Sequence, residues 1–187
     1  MRLGLNKDPK NISEQDLIQK CIADDRQYQE ILYRKYADYM YNVCLTYIPD
    51  EDAVCDVLQD GFIKVFRNLH KFKSEASLGS WIRRIMVNTA LDHYRNQKRQ
   101  HEKIEMLSSL PNEKSIAGIL EQINAQELIN MVNQLPSKAA MVLKLYAIEG
   151  YGHKEIAEMM DISEGTSKSQ LFRARALLKE LIDKYNG

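Results

Sequence analysis

The sequence predicts an all-α protein of two small helical domains joined by a linker: a four-helix N-terminal domain and a four-helix C-terminal domain with a helix-turn-helix. Of the 187 residues, 44% are hydrophobic and 28% are charged, and only 4 are Pro and 8 Gly, a composition typical of folded helical proteins. Apolar residues also recur at three- and four-residue spacing, which is the period of an amphipathic helix. The length allows two cores of ordinary size.

The N-terminal domain, residues 1–99, is predicted from four successive helices. Ser13 precedes an acidic turn and is the expected N-cap of the first helix. Pro49 ends the second helix, and Asp50 caps the third. Residues 70–76 lack a helical period, so we expect a loop there. The apolar residues that mark the core side of the second and third helices are Ile31, Leu32, Tyr36, Tyr39, Met40, Val43, Cys44, Tyr47, Val54, Val57, Leu58, Phe62, Val65, Phe66 and Leu69.

A linker, residues 100–123, is predicted where Ser, Pro, Asn and Gly are scattered among charged residues. The C-terminal domain, residues 124–187, then begins with Asn124 and Glu127 at the spacing of a capping box. Gly150 follows the next predicted helix and suits a left-handed C-terminal position.

A helix-turn-helix is predicted from a short helix His153–Met160, a turn over residues 161–163 and a longer helix after it. Ala157 is small where two helices must cross, and Ile162 is apolar where the turn must be held to the core. The second helix carries short hydrogen-bonding groups first and cations later, which favours base contacts at its N-terminus and phosphate contacts beyond. A helical hairpin with a solvated charged face is the alternative. The residues expected to face duplex DNA are Ser163, Glu164, Thr166, Lys168, Ser169, Arg173 and Arg175.

The formal net charge is zero, but the charges are segregated. Residues 13–60 carry 4 basic and 11 acidic groups, whereas residues 64–103 carry 10 basic and 3 acidic groups. A second basic stretch, residues 164–184, has 5 basic and 3 acidic groups. This distribution predicts two DNA-facing surfaces and an acidic surface for a different partner.

The acidic surface is clearest on the third predicted helix, whose polar side holds Asp52, Asp56, Gln59 and Asp60. An acidic stripe of this kind usually faces solvent and has no binding role. Carboxylates with one amide at helical spacing can also hold the arginines of a partner protein through directed hydrogen bonds.

Cations and aromatic residues occur together between residues 71 and 99. Unpaired bases need an aromatic face to stack on and a positive charge for their phosphates. We expect Trp81 and Tyr94 to belong partly to the core, and Phe72, between Lys71 and Lys73 in the loop, to be more exposed.

No enzymatic or metal-binding pattern is present in the sequence. It has no nucleophile–base pair, P-loop or metal-ligand spacing, so we expect neither a catalyst nor a cofactor, metal or small-molecule substrate. Three widely spaced cysteines predict buried thiols. No apolar run is long enough for a membrane span, and the N-terminus lacks a signal peptide, which predicts a cytoplasmic protein. The cysteines are Cys21, Cys44 and Cys55, and the histidines are His70, His93, His101 and His153.

Four segments, in order, resemble bacterial RNA polymerase sigma factors of the extracytoplasmic-function type, in the sigma-70 family. They are Asp56-Val-Leu-Gln59-Asp60-Gly-Phe62-Ile-Lys64-Val-Phe66, then Leu78-Gly-Ser-Trp81 through Asn88 to Arg95, then Glu149-Gly-Tyr-Gly-His-Lys154-Glu155-Ile-Ala157, and Ile162-Ser-Glu-Gly165 through Lys168-Ser169 to Arg175. The resemblance covers about residues 13–183.

The resemblance implies a transcription initiation factor. The first domain would bind core RNA polymerase and recognise and melt the downstream promoter element, and the second would read the upstream element as duplex. It also implies an anti-sigma partner, which in such proteins often holds the factor at the membrane. Implied polymerase contacts are Asp56, Gln59, Asp60 and Phe62, and implied contacts to the opened strand are Lys71, Phe72, Lys73, Trp81, Arg84, Asn88 and Arg95.

Three residues depart from the family pattern: Asp161 where the turn often has Gly, Ser167 where Val is usual, and Gln170 where Arg is frequent. Two alternative functions remain open on the residues alone. One is a ligand-responsive regulator whose N-terminal helices form a sensing bundle. The other is a helical hydrolase with an accessory DNA module, in which Asp56 and Asp60 would be ligands, but no His partner supports it.

Overall fold

The computed structural model describes residues 12–48, 50–101 and 125–186, and this part of the chain is formed by eight α-helices without a strand. The all-α prediction is confirmed. Contacts divide the chain into two units, one ending at His93 and the other beginning at Tyr94. Pro49, Asn124 and the predicted linker beyond His101 lie outside the described residues.

The helices of the first unit are α1 (Glu14–Ile22), α2 (Arg26–Tyr47), α3 (Glu51–Asn68) and α4 (Leu78–His101), which runs past the division, with a short 3₁₀ helix at Leu69–Lys71. Those of the second unit are α5 (Ala125–Asn133), α6 (Ser137–Ala147), α7 (His153–Met160) and α8 (Glu164–Asn186).

Side-chain caps set the first helices where the sequence predicts them. The Ser13 hydroxyl accepts a hydrogen bond from the backbone N–H of Asp16 at 3.1 Å. The Asp50 carboxylate accepts one from the N–H of Asp52 at 3.2 Å. Both caps pair a backbone donor that a helix leaves without a partner in its first turn.

Most of the predicted apolar set of the first core is buried, with Ile31, Tyr36 and Phe66 half-buried. Tyr39 is 52% exposed rather than buried, and its hydroxyl accepts a hydrogen bond from Arg83 Nη1 at 2.7 Å. A tyrosine at the edge of the core keeps its polar end in water, so spacing alone overstates its burial. Cys55 is also exposed, whereas Cys21 and Cys44 are buried as expected. The side chains with the least exposure in this core are Leu32, Met40, Cys44, Val54, Val65, Leu69, Leu78, Ile82, Met86, Val87, Ala90 and Leu91.

Gly61 brings α3 close to α4. A Cβ at this position would overlap the Sδ atom of Met86, which is fully buried. An ion pair between Lys64 Nζ and Asp92 Oδ2 at 3.0 Å joins the same two helices. These contacts orient the polar sides of α3 and α4 relative to each other.

In the second unit, α6 packs against α7 and α8 and is buried along most of its length. Gly150 has a φ of +76°, which confirms the predicted left-handed residue after α6. Glu127 accepts a hydrogen bond from the Tyr185 hydroxyl at 2.9 Å, which links α5 to α8. Along the described residues, no helix has the length and apolar character needed to cross a membrane.

Candidate protein and nucleic-acid interfaces

The acidic stripe of α3 is presented to solvent. Asp52, Asp56, Gln59 and Asp60 are all exposed, while Val57 and other apolar residues of α3 are buried on its other side. Neither an ion pair nor a side-chain hydrogen bond joins Asp56 or Asp60 to another described residue. The stripe therefore offers carboxylates and an amide whose acceptors are open to an incoming cation.

Phe62 does not belong to this exposed surface. Its side chain is 3% exposed, and its ring lies 4.6 Å from that of Tyr33 and 6.2 Å from that of Phe66, measured between centroids. Phe62 therefore lies in the core and supports the helix from inside, at a position where the resemblance implies a polymerase contact. The apolar side chain that lies open beside the stripe is Ile63, at 42% exposure. Its position four residues after Gln59 was the signal that the sequence analysis missed.

The loop before α4 is partly structured. Lys71 Nζ donates a hydrogen bond to the Asn68 side chain at 2.9 Å, and both Lys71 and Lys73 are exposed. Phe72 is half-buried, with its ring centroid 5.5 Å from that of Trp81 and the two planes tilted by 56°. Trp81 is half-buried as well, and each ring covers part of the other.

A polar stripe continues from this aromatic pair along α4. Trp81, Arg84, Asn88 and Arg95 follow one another at spacings of three, four and seven residues, so they share one side of the helix. Arg84 and Asn88 are exposed, and Arg95 is half-buried. Tyr94 is also half-buried, as its partial assignment to the core predicts. The stripe combines an aromatic surface with cationic and amide donors.

The turn of the helix-turn-helix has the predicted length and places an acidic residue in a left-handed conformation. Asp161 has φ +53° and ψ +54°, and Asp is one of the residues that tolerate this region at a cost of about 1 kcal/mol. Ser163 Oγ accepts a hydrogen bond from the Thr166 N–H at 3.0 Å and therefore caps α8 as expected. Ala157 is buried and Ile162 half-buried, so the turn is held against the core.

The predicted DNA-reading residues of α8 differ in how available they are. Ser163, Glu164, Lys168, Ser169 and Arg175 are exposed, whereas Thr166 and Arg173 are half-buried. Glu164 and Lys168 form an ion pair at 2.7 Å, and the hydrogen bond from Lys168 lowers the pKa of Glu164. Arg173 Nε is buried without a hydrogen-bond acceptor among the described residues. Binding of DNA would have to compete for the Lys168 ammonium with Glu164 on the same helix.

Sequence analysis missed a cluster of side chains from α6, α7 and α8. Ser167 is fully buried, and its Oγ lies 2.9 Å from Nδ1 of His153. The His153 ring stacks on Tyr146, with centroids 5.0 Å apart and planes inclined by 23°. The guanidinium carbon of Arg175 lies 5.5 Å from the centroid of the same Tyr146 ring. A serine at a core position was the available signal, because a buried hydroxyl needs a hydrogen-bond partner.

Two family models match the chain in order. The model described as "Sigma-70 region 2" matches residues 32–100, and the model described as "Sigma-70, region 4" matches residues 125–178. Together they cover well over half of the chain. The first match contains α3 and α4 with their stripes, and the second contains the helix-turn-helix.

Curated relatives align over nearly their whole length. An ECF RNA polymerase sigma-E factor of Haemophilus influenzae is 25% identical over 184 residues, which covers 92% of this chain and 97% of that protein. The ECF RNA polymerase sigma-E factor of Escherichia coli is 27% identical over 177 residues, covering 89% and 92% respectively.

Among solved structures, the sigma factor RpoE from Bartonella quintana, in complex with the anti-sigma factor NepR, has the same fold. Its TM-score is 0.51 at 19% sequence identity, and the match covers 82% of this chain and 96% of that one.

Proposed function

Because the chain belongs to the sigma-70 family of RNA polymerase sigma factors, in its extracytoplasmic-function group, we propose that it is a transcription initiation factor. It binds core RNA polymerase, directs the polymerase to specific promoters and assists strand opening. The observation that carries this proposal is the ordered match of region 2 and region 4 to the two halves of one chain. The polymerase performs the chemistry, and the chain itself is not an enzyme.

We assign the two activities to different parts of the chain. Residues 1–99 bind core polymerase and act on the downstream promoter element, residues 100–123 connect the domains, and residues 124–187 read the upstream element. Segregated charge supports this assignment, since α3 is acidic on its exposed side and α4 is basic. A sensing bundle at residues 13–99 is not favoured, because region 2 matches most of that range.

Asp56, Gln59 and Asp60 are the proposed polymerase contacts. Their side chains share one exposed side of α3, where two carboxylates attract guanidinium groups and the amide adds a directed hydrogen bond. Buried Phe62 keeps this side in place by packing on Tyr33. We add exposed Ile63 as an apolar contact at the end of the stripe. Charge attraction sets partner choice, and the apolar contact excludes water from the interface.

The stripe from Phe72 to Arg95 is the proposed site for the opened strand. A base that leaves the duplex stack can pack on the ring surface that Phe72 and Trp81 still expose, and Lys71 and Lys73 are exposed beside it for the phosphates. Arg84, Asn88 and Arg95 continue the same side of α4 along the strand.

The exposed N-terminal turns of α8 are the proposed duplex-reading surface. Glu164, Lys168 and Ser169 can reach base edges, while Arg173 and Arg175 are further along the helix and can reach phosphates. Since promoters and core polymerase lie in the bacterial cytoplasm, we place the protein there. An anti-sigma protein is its proposed inhibitory partner, by analogy with the Bartonella quintana complex.

Reconstituted transcription tests the proposed function. The purified full chain is mixed with sigma-free core polymerase, passed through a sizing column and supplied with a fragmented genomic library. We expect co-elution and transcripts whose start sites share upstream sequences, and none of these start sites with core polymerase alone. A chain that binds DNA but neither co-elutes nor initiates would be a regulator of another kind, and the proposal would be wrong.

The strand-opening role predicts a specific defect for Phe72→Ala. Loss of one stacking surface should reduce the permanganate reactivity of thymines in the melted region about tenfold, since base stacking on an aromatic ring is worth about 1–3 kcal/mol. Binding of holoenzyme to the closed promoter should be unchanged. Phe72→Leu is the matched control for packing, because it keeps bulk against Trp81 but has no aromatic face. Undiminished reactivity in both variants would exclude Phe72 from this role.

A further inference from the structure

The buried hydroxyl of Ser167 ties the two helices of the helix-turn-helix together. Ser167 on α8 has no solvent exposure, and its Oγ is 2.9 Å from Nδ1 of His153, the first residue of α7. A hydroxyl without a partner at this position would be unfavourable, so the bond both satisfies Ser167 and restrains the imidazole ring. The position of His153 is thus set from inside the domain.

The restrained imidazole of His153 stacks on a tyrosine ring that an arginine also contacts. His153 stacks on Tyr146 at 5.0 Å, and the Arg175 guanidinium lies over the same ring at 5.5 Å. No hydrogen bond or ion pair joins Arg175 to another residue in the described part of the chain. Arg175 is therefore held by its contact with the Tyr146 ring.

A guanidinium held in this way remains able to bind phosphate. Its five N–H donors point outward from the edge of the planar group, and a single ring at 5.5 Å cannot engage all of them, so donors remain available. A free arginine loses rotamer entropy when it binds, and a side chain already fixed loses less. Fixing Arg175 before DNA arrives should therefore increase affinity without adding any contact.

We propose that His153 is a positioning residue for DNA binding. The Ser167 hydroxyl holds the His153 ring against Tyr146. The stacked rings of His153 and Tyr146 then hold the Arg175 guanidinium where it meets a backbone phosphate. This inference rests on the proposed function, since it requires that the helix-turn-helix binds duplex DNA. His153 itself makes no contact with DNA in this scheme. Its effect is transmitted entirely through Tyr146 and Arg175.

A double-mutant cycle on the full chain tests the proposal. Affinity for a labelled random-sequence duplex is measured at several salt concentrations for the wild type, His153→Ala, Arg175→Ala and the double variant. Arg175→Ala should lower the slope of log affinity against log salt by about 0.9, the value for one phosphate contact. His153→Ala should weaken binding about threefold with the slope unchanged, and should have no effect when Arg175 is already absent.

Lys154→Ala provides the matched control, because Lys154 is an exposed cation next to His153, and no hydrogen bond or ring contact among the described residues joins it to Tyr146 or Ser167. Its effect should add to that of Arg175→Ala. If His153→Ala impairs folding in a thermal melt, Ser167→Ala replaces it in the same cycle. If the His153 or Ser167 variant weakens DNA binding equally whether Arg175 is present or replaced by Ala, the positioning role would be overturned. Failure of the wild type to bind the duplex would instead contradict the duplex-reading role proposed for residues 124–187.

Discussion

Substitution of Asp56 by Lys is expected to weaken binding to core RNA polymerase about 100-fold. Placing like charges opposite each other in an interface costs several kcal/mol, and each 1.4 kcal/mol is a factor of about ten in affinity. Asp56 is exposed and no described residue pairs with it, so the fold should be retained. The measurement is a titration of labelled chain with core polymerase, followed by fluorescence anisotropy.

Asp38→Lys is the control for charge alone. Asp38 is an exposed acid of α2 in the same domain, and its side chain takes part in neither stripe. It should bind core polymerase as tightly as the wild type at physiological salt. Equal losses for Asp38→Lys and Asp56→Lys would mean that net charge, rather than the α3 stripe, governs binding. Unchanged binding by Asp56→Lys would remove the stripe from the interface.

Substitution of Lys144 by Met is expected to stabilise the second domain by about 2 kcal/mol at pH 7. Burial lowers the pKa of Lys144 from 10.5 to about 8, and its ammonium donates a hydrogen bond to Asn133 at 2.7 Å. The shift corresponds to about 3 kcal/mol of unfavourable burial, and loss of the ammonium's polar contacts, of which the bond to Asn133 is one, offsets about 1 kcal/mol of it. Asn133 is exposed, so water can replace the lost donor.

The stabilisation should depend on pH in a defined direction. Between about pH 8 and pH 10.5 the unfolded chain holds the Lys144 proton while the folded chain has released it, so the wild type becomes more stable as pH rises. Below this window both states are protonated, and the full penalty for burying the charge is present. The advantage of Lys144→Met should therefore be constant below about pH 8 and disappear by about pH 10.5.

Calorimetric unfolding of the full chain at pH 7 and pH 10.5 measures this difference. Lys184→Met is the control, because Lys184 is exposed in the last turn of α8 and its removal should change stability equally at both pH values. A Lys144→Met variant that is less stable than the wild type at pH 7 would show that the ammonium is a net stabilising group.

Local features of this protein follow from neighbouring residues and are predictable for that reason. Ser13, Asp50 and Ser163 cap helices by bonding to backbone groups two or three residues away. Helical spacing likewise places Asp56 and Gln59 on one exposed side of α3, because the side opposite a buried apolar set must face solvent. The left-handed conformations of Gly150 and Asp161 are also local features, because each belongs to the turn that follows a helix.

Helical periodicity predicted burial less reliably for side chains with both apolar and polar parts, and for positions beside the core. Tyr39 keeps its hydroxyl at the surface for Arg83, and Phe72 packs on Trp81 across the loop. In each case the outcome depends on which neighbour another helix supplies.

The amino-acid sequence by itself determined the helices, their caps, the exposed stripes and the family, because these depend on the order of residues within a few turns and on motif spacing. Only the tertiary structure decided that Ser167 bonds to His153 and that Arg175 lies over Tyr146. Those residues are far apart in sequence, and no local period relates them. Their contact arises from the way α6, α7 and α8 cross, which depends on the packing of all three helices at once.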